Sequence, residues 1–236
     1  MTKTKFKLNL SIFLFIAYII FIILNDYICY IFKYDASFLT YFISFFCISL
    51  VTFLLRRKIS IKLDKFNKID IIFFVFLIFI MFLRVAIPDS SFDTLNYHIY
   101  LQENLFEDNV NYNFFPGRWQ NTFSLPLGDR LHYFFRLILG YRMGMIFNML
   151  CLIVVYYQLK RFLSKFIKKE NIICIFSFAI IITEQLLTNM ITYYVDLFVI
   201  PIFLEIIIML FEKEKDRINN YFTLLLAGIA ISLKVS

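Results

Sequence analysis

IDIIFFVFLIFIMFLRVAI, residues 69–87, is the stretch that decides the fold class. No charge interrupts it between Asp70 and Arg84, and its length matches the roughly 20 apolar residues that a helix needs to cross a bilayer core. The rest of the chain is written the same way. Of 236 residues 61% are hydrophobic and only 17% charged, too apolar for a domain whose whole surface faces water. Phe (32) and Tyr (15) abound while Gly (5) and Pro (4) are scarce, so the apolar runs have few built-in turns. Long helices follow from this, whereas a membrane β-barrel would show short alternating segments.

Seven spans can be drawn around that stretch, at about 8–32, 37–55, 69–87, 132–158, 171–190, 196–211 and 220–236. The expected architecture is therefore an all-α integral membrane protein forming one multi-pass domain. Residues 1–68 make an N-terminal helical hairpin with a basic cytoplasmic link, and residues 69–236 make the helical core. The first run is longer than the apolar region of a signal peptide and no small-residue cleavage site follows it, so it reads as a retained helix. The last run ends at Ser236 inside or at the edge of a helix, which points to an incomplete core.

Charge sets the orientation. The net charge of +7 does not mark a nucleic-acid binder, because the basic residues are confined to short links between apolar runs. With the N-terminus in the cytoplasm, the tail lysines and the links at 56–68, 160–169 and 213–217 place 17 of the 24 lysines and arginines inside. The opposite orientation would put those short basic loops outside, against the positive-inside rule. The cysteines Cys29, Cys47, Cys151 and Cys174 all fall in apolar runs, without metal-ligand spacing, and read as packing residues.

The inside N-terminus puts the one long loop, residues 88–131, on the outer face. It holds six acids (Asp89, Asp93, Glu103, Glu107, Asp108 and Asp129) against Arg118 and Arg130, together with the only tryptophan, Trp119, and three of the four prolines. Its aromatic residues suit a segment lying on lipid headgroups. The start of the loop, PDSSFDTLNYHIYLQENLFED at 88–108, reads as a juxtamembrane helix. There Asp93, Tyr97, Tyr100 and Asn104 share one face, and Leu95, Ile99 and Phe106 share another. Taken by its spacing alone, Asp93 also fits a capping box with Ser90.

Glu184, Glu205 and Lys234 are charges placed within spans. Each costs about 2.5–3.5 kcal/mol to insert, so each requires a partner or a purpose. Counted along straight helices, Glu184 and Lys234 lie at the same outer depth and can pair, either as a bundle-holding ion pair or as part of a phosphate site. Asp196 stands at the outer end of its helix, where the helix dipole also favours an acid. His98 and His132 make no metal cluster, although carboxylates leave room for one divalent cation.

The string FDTLNYH, residues 92–98, resembles the acidic loop motif of the GT-C superfamily of membrane glycosyltransferases, and within it bacterial relatives of protein mannosyltransferases and aminoarabinose transferases. TYYVDL, residues 192–197, is a second point of resemblance, and AGIAISLKVS, residues 227–236, a weaker third. The resemblance covers the chain from about residue 69 onward and rests on the order and common outward placement of these motifs. It implies an inverting transfer, in a bacterial plasma membrane, from a polyprenyl-phosphate sugar to a hydroxyl of a lipid, glycan or protein acceptor. Asp93 matches the loop carboxylate that acts as general base. Tyr97, His98, Arg118, Asp196 and Lys234 are the substrate-binding candidates, with Arg130 another cation for the departing phosphate. The N-terminal hairpin and the small number of helices depart from the family pattern. The alternatives are a polytopic transporter or lipid flippase and a non-catalytic membrane fragment. Transporters place polar groups near the midplane on broken helices, whereas here polar density lies in an outer loop.

Overall fold

The computed structural model describes residues 6–32, 37–55, 59–87, 98, 102, 127–211 and 217–234. These residues are mostly helical. Packing divides the chain into two compact units, Met1–Asp64 and Lys65–Ser236. This division and the expected one at residue 68 both fall in the link before the third helix.

In the first unit, strand β1 (Phe6–Asn9) leads into α1 (Leu10–Phe32), and α2 (Phe38–Leu55) returns to strand β2 (Ile59–Lys62). The two strands pair in parallel, with Phe6 opposite Ile59 and Asn9 opposite Lys62. An all-α reading missed them. FKLN and ISIK alternate apolar and polar residues with a period of two, but each is only four residues long and lies in a basic stretch that otherwise reads as a link. Asp64 ties the unit together, since one carboxylate oxygen accepts from the Asn9 side-chain amide at 2.9 Å and the other from the Ser11 backbone N–H at 2.8 Å. That second bond satisfies an N–H at the start of α1, which has no partner within the helix.

The second unit starts with α3 (Lys68–Ala86) and continues with α4 (Leu127–Leu139), a 3-10 turn at Tyr141–Met143, and α5 (Ile146–Leu163). Next come α6 (Glu170–Ile181), α7 (Glu184–Met190), a 3-10 turn at Asp196–Phe198, α8 (Val199–Phe211) and α9 (Arg217–Lys234). Helix α5 is the hub: it packs against α3, α4, α6, α7 and α8, while α9 packs against α8 and α4. Leu152, Val155 and Tyr156 of α5 are buried, and the Tyr156 ring stacks on Phe73 of α3 at 4.1 Å. Outward-facing residues of α3 such as Val75, Phe79 and Phe82 stay exposed, as they would when the surrounding solvent is lipid.

Among the described residues, three helices are long and apolar enough to cross a membrane: Leu10–Phe32, Lys68–Ala86 and Tyr141–Leu163. The pair α6 and α7 makes a fourth if that bent pair counts as one span. Two of the expected spans are therefore not straight helices. The run drawn at 132–158 breaks at Gly140, whose φ of 79° is comfortable only for glycine, so α4 is a separate helix before the span. The run drawn at 171–190 bends by 70° between Ile181 and Glu184, where Thr183 is extended (φ −62°, ψ 142°). Helix α8 and the apolar part of α9 are shorter than a full span.

Candidate functional site

Two groups of buried polar side chains sit at opposite ends of α5. At its C-terminal end, Lys160 Nζ lies 2.7 and 2.8 Å from the two carboxylate oxygens of Asp70. The Tyr156 hydroxyl donates to the same carboxylate at 2.7 Å, and the Asn67 backbone N–H donates to it at 2.7 Å. The last contact completes the capping box that starts α3, so one buried acid both begins a helix and neutralises a lysine from another. Lys160 also donates to the Lys65 carbonyl at 3.0 Å. The next residue along α5, Arg161, pairs with Glu205 of α8 at 2.7 Å. Gln158 Nε2 donates to Glu205 at 3.0 Å and to the Pro201 carbonyl at 2.8 Å. Glu205, expected to need a partner inside its span, thus finds two on α5.

At the other end of α5, Asn148 organises the chain around it. Its Nδ2 donates to the carbonyls of Asn189 at 2.8 Å and Thr192 at 2.7 Å, with Tyr194 O farther off at 3.3 Å. With the amide nitrogen so fixed, Oδ1 accepts from His132 Nε2 at 3.1 Å, which assigns the His132 proton to Nε2. The ring of His132 is fully buried and meets Tyr193 and Phe198 edge-on. Burial, the dominant cause, pushes its pKa down to about 3 against the raising effect of Asn148, so the imidazole is neutral in the fold.

His98 and Asp129 form the second pair at this end, Nδ1 to Oδ1 at 2.8 Å, both buried. Burial raises the Asp129 carboxyl above its ordinary range, and the hydrogen bond and charge of His98 act in the opposite direction. Arg136 donates to Gln102 at 3.3 Å, which keeps a fourth polar group beside them. Gly128, next to Asp129, packs so tightly on Val195 that a β-carbon there would lie 2.5 Å from Cγ1. Tyr194 brings its ring to 6.2 Å from that of His98. Arg84, near the end of α3, donates to the carbonyls of Ile191 and Ile87, and Arg142 donates to the Val85 carbonyl at 3.0 Å. The end of α3, the start of α5 and residues 189–195 are thereby gathered at one end of the unit.

Of the residues singled out from the sequence, Asp93, Tyr97 and Arg118 lie outside the described residues. His98 is at this end, engaged with Asp129. Asp196 opens the 3-10 turn before α8 and is exposed. Lys234 ends α9, and its side chain lies outside the described set. Glu184 starts α7 beyond the bend and is exposed, so the straight-helix depth that placed it beside Lys234 does not hold. Among the described residues no group of His, Cys, Asp and Glu is arranged to hold a metal ion. Asn148, Asp129 and the Asp70–Lys160 pair were missed by motif reading. Depth is the signal that connects Asp70 with Lys160, since one stands at the start of α3 and the other in the last turn of α5.

His132 gives a pH prediction. A depressed folded pKa means that the unfolded chain binds the extra proton, so stability is fully present above the ordinary value near 6.5 and falls as pH drops toward 3. Between pH 7 and 4.5 this amounts to roughly 2–3 kcal/mol, opposed in part by Asp129, whose raised pKa acts in the other direction. His132→Gln should shrink the loss of melting temperature over that range, measured in detergent or nanodiscs. An unchanged pH profile would remove His132 as its cause.

Apolar helices of spanning length, with buried polar groups hydrogen-bonded at both ends of a hub helix, are compatible with an α-helical integral membrane protein. No protein-family model, curated protein or solved structure matches the chain.

Proposed function

We propose that the protein transfers a sugar from a polyprenyl-phosphate donor to an acceptor hydroxyl at the outer face of a bacterial plasma membrane. The proposal includes a seven-span arrangement, an inside N-terminus and an outer 88–131 loop. The observation that carries it is a convergence: His98, the last residue of FDTLNYH, lies beside Tyr194 of TYYVDL, at the end of the unit where α3 finishes. One residue from each of two segments that resemble glycosyltransferase motifs, 96 positions apart in the sequence, thus meets the other at this end. Asp93 is the proposed general base. A base must come within hydrogen-bond reach of the attacking hydroxyl, and the departing lipid phosphate needs a cation, for which Arg118, Arg130 and Lys234 are the proposed donors. Buried pairs such as His98 with Asp129 supply the rigid support that keeps such groups at fixed distances.

One observation favours a second reading, passage of a lipid or solute along a polar path: the 70° break between α6 and α7, because broken helices line such paths in transporters. The test that separates the two is donor chemistry. Sugar transfer releases polyprenyl phosphate from the lipid-linked sugar, whereas transport leaves the donor intact. Sidedness has its own test. A cysteine introduced near Asn109 should react with an impermeant maleimide from outside and one near Asn67 only after permeabilisation; the reverse pattern would remove the outer-face site.

A further inference from the structure

We infer that the Lys160 end of the second unit holds an anionic membrane lipid, its phosphate among Lys65, Lys68, Lys168 and Lys169 and its acyl chains along α3. Two links are brought side by side there: the Asn67 side chain donates to Asn171 at 3.2 Å, and Lys160 donates to the Lys65 carbonyl. The four lysines flanking these contacts are exposed. Among the described residues none of their ammonium groups has a carboxylate partner, whereas the neighbouring Lys160 and Arg161 are consumed by Asp70 and Glu205. Asp70 is buried under that pairing, which leaves Glu170 as the exposed acid on the two links. The patch is therefore strongly cationic where it meets the membrane surface.

The apolar part of the site comes from helix geometry. Lys68, Ile72, Val75, Phe79 and Phe82 recur at i, i+4, i+7, i+11 and i+14, one face of α3, and the four apolar members are all exposed. Lys68 thus stands at the foot of a lipid-facing stripe. Phe66, 61% exposed, stacks on Phe74 of the same helix at 6.2 Å, and Phe166, 63% exposed, sits on the other link. Aromatic rings at this level suit the headgroup boundary, and clustered lysines beside a membrane helix attract anionic headgroups. A phospholipid satisfies both parts at once, phosphate to lysines and chains to the stripe; a soluble anion satisfies only the first.

Native mass spectrometry of the full chain, after exchange into equal amounts of dioleoyl phosphatidylglycerol and dioleoyl phosphatidylcholine, tests this. The unmodified protein should retain the glycerol lipid at least about fivefold over the choline lipid. Replacing all four lysines by Gln should bring that ratio near one, and replacing them by Arg should keep it. No preference in the unmodified protein, or a preference that survives the Gln replacements, would overturn the site. If the fourfold Gln variant does not fold, Lys168→Gln with Lys169→Gln should lower the ratio, and an unchanged ratio again overturns it. Inorganic phosphate or glycerol phosphate at millimolar concentration should not displace the lipid; displacement would mark a free-anion site and overturn the lipid assignment.

Discussion

Asp93→Asn is expected to lower the proposed sugar transfer by about 10²–10⁴-fold while membrane insertion and protein level stay nearly unchanged. Asn keeps the shape of the side chain and can still cap a helix, but it cannot accept a proton from an acceptor hydroxyl at neutral pH. The substitution therefore separates a general base from a capping residue. Asp89→Asn and Asp108→Asn are the controls, since both are acids of the same loop that lie outside FDTLNYH, and both should lose far less. Release of polyprenyl phosphate per unit of membrane-inserted protein is the quantity to measure. Undiminished release from the Asp93→Asn protein would remove Asp93 as the base. Reduced protein level at normal specific activity would assign it to the capping box with Ser90.

The largest effect on stability is expected from the Asp70–Lys160 pair. Asp70→Ala strands the Lys160 ammonium and removes the acceptor used by Tyr156 and by the Asn67 N–H, all at a fully buried position. Removing one partner of a buried pair costs about 3–5 kcal/mol. Lys160→Met should cost less, because the remaining carboxylate keeps Tyr156 and Asn67 as donors. In the double variant the combined loss should fall short of the sum of the two singles, since neither charge is then left alone. Unfolding by sodium dodecyl sulfate titration reads these differences, and strict additivity would show that the two groups act independently.

Composition and hydropathy made the helical membrane class legible because they sum over many residues, and α1 and α3 fall close to where the apolar runs place them. The breaks were harder to read. A hydropathy window scores residue types and is blind to the φ of Gly140 or the extended Thr183, so α4 and α7 were merged into longer runs. Polar partners were harder still. His98 and Asp129 are 31 residues apart and Asp70 and Lys160 are 90 apart, and no helical period connects such positions. Glu205 shows the limit well: insertion cost marked it as needing a partner, but only packing of α8 on α5 reveals Arg161 and Gln158. Of the candidate site, the sequence picked out both FDTLNYH and TYYVDL, while Asn148, which holds the backbone of the second motif, belongs to neither.

Proteoliposomes carrying the purified protein and a labelled polyprenyl-phosphate sugar test sugar transfer most directly. With membrane lipids and glycans supplied as acceptors, label should leave the polyprenyl phosphate and appear in a new glycosidic bond, and this should depend on donor exposed on the face of the 88–131 loop. Intact donor crossing to the opposite leaflet with no glycosidic bond formed would contradict transfer and leave transport as the activity.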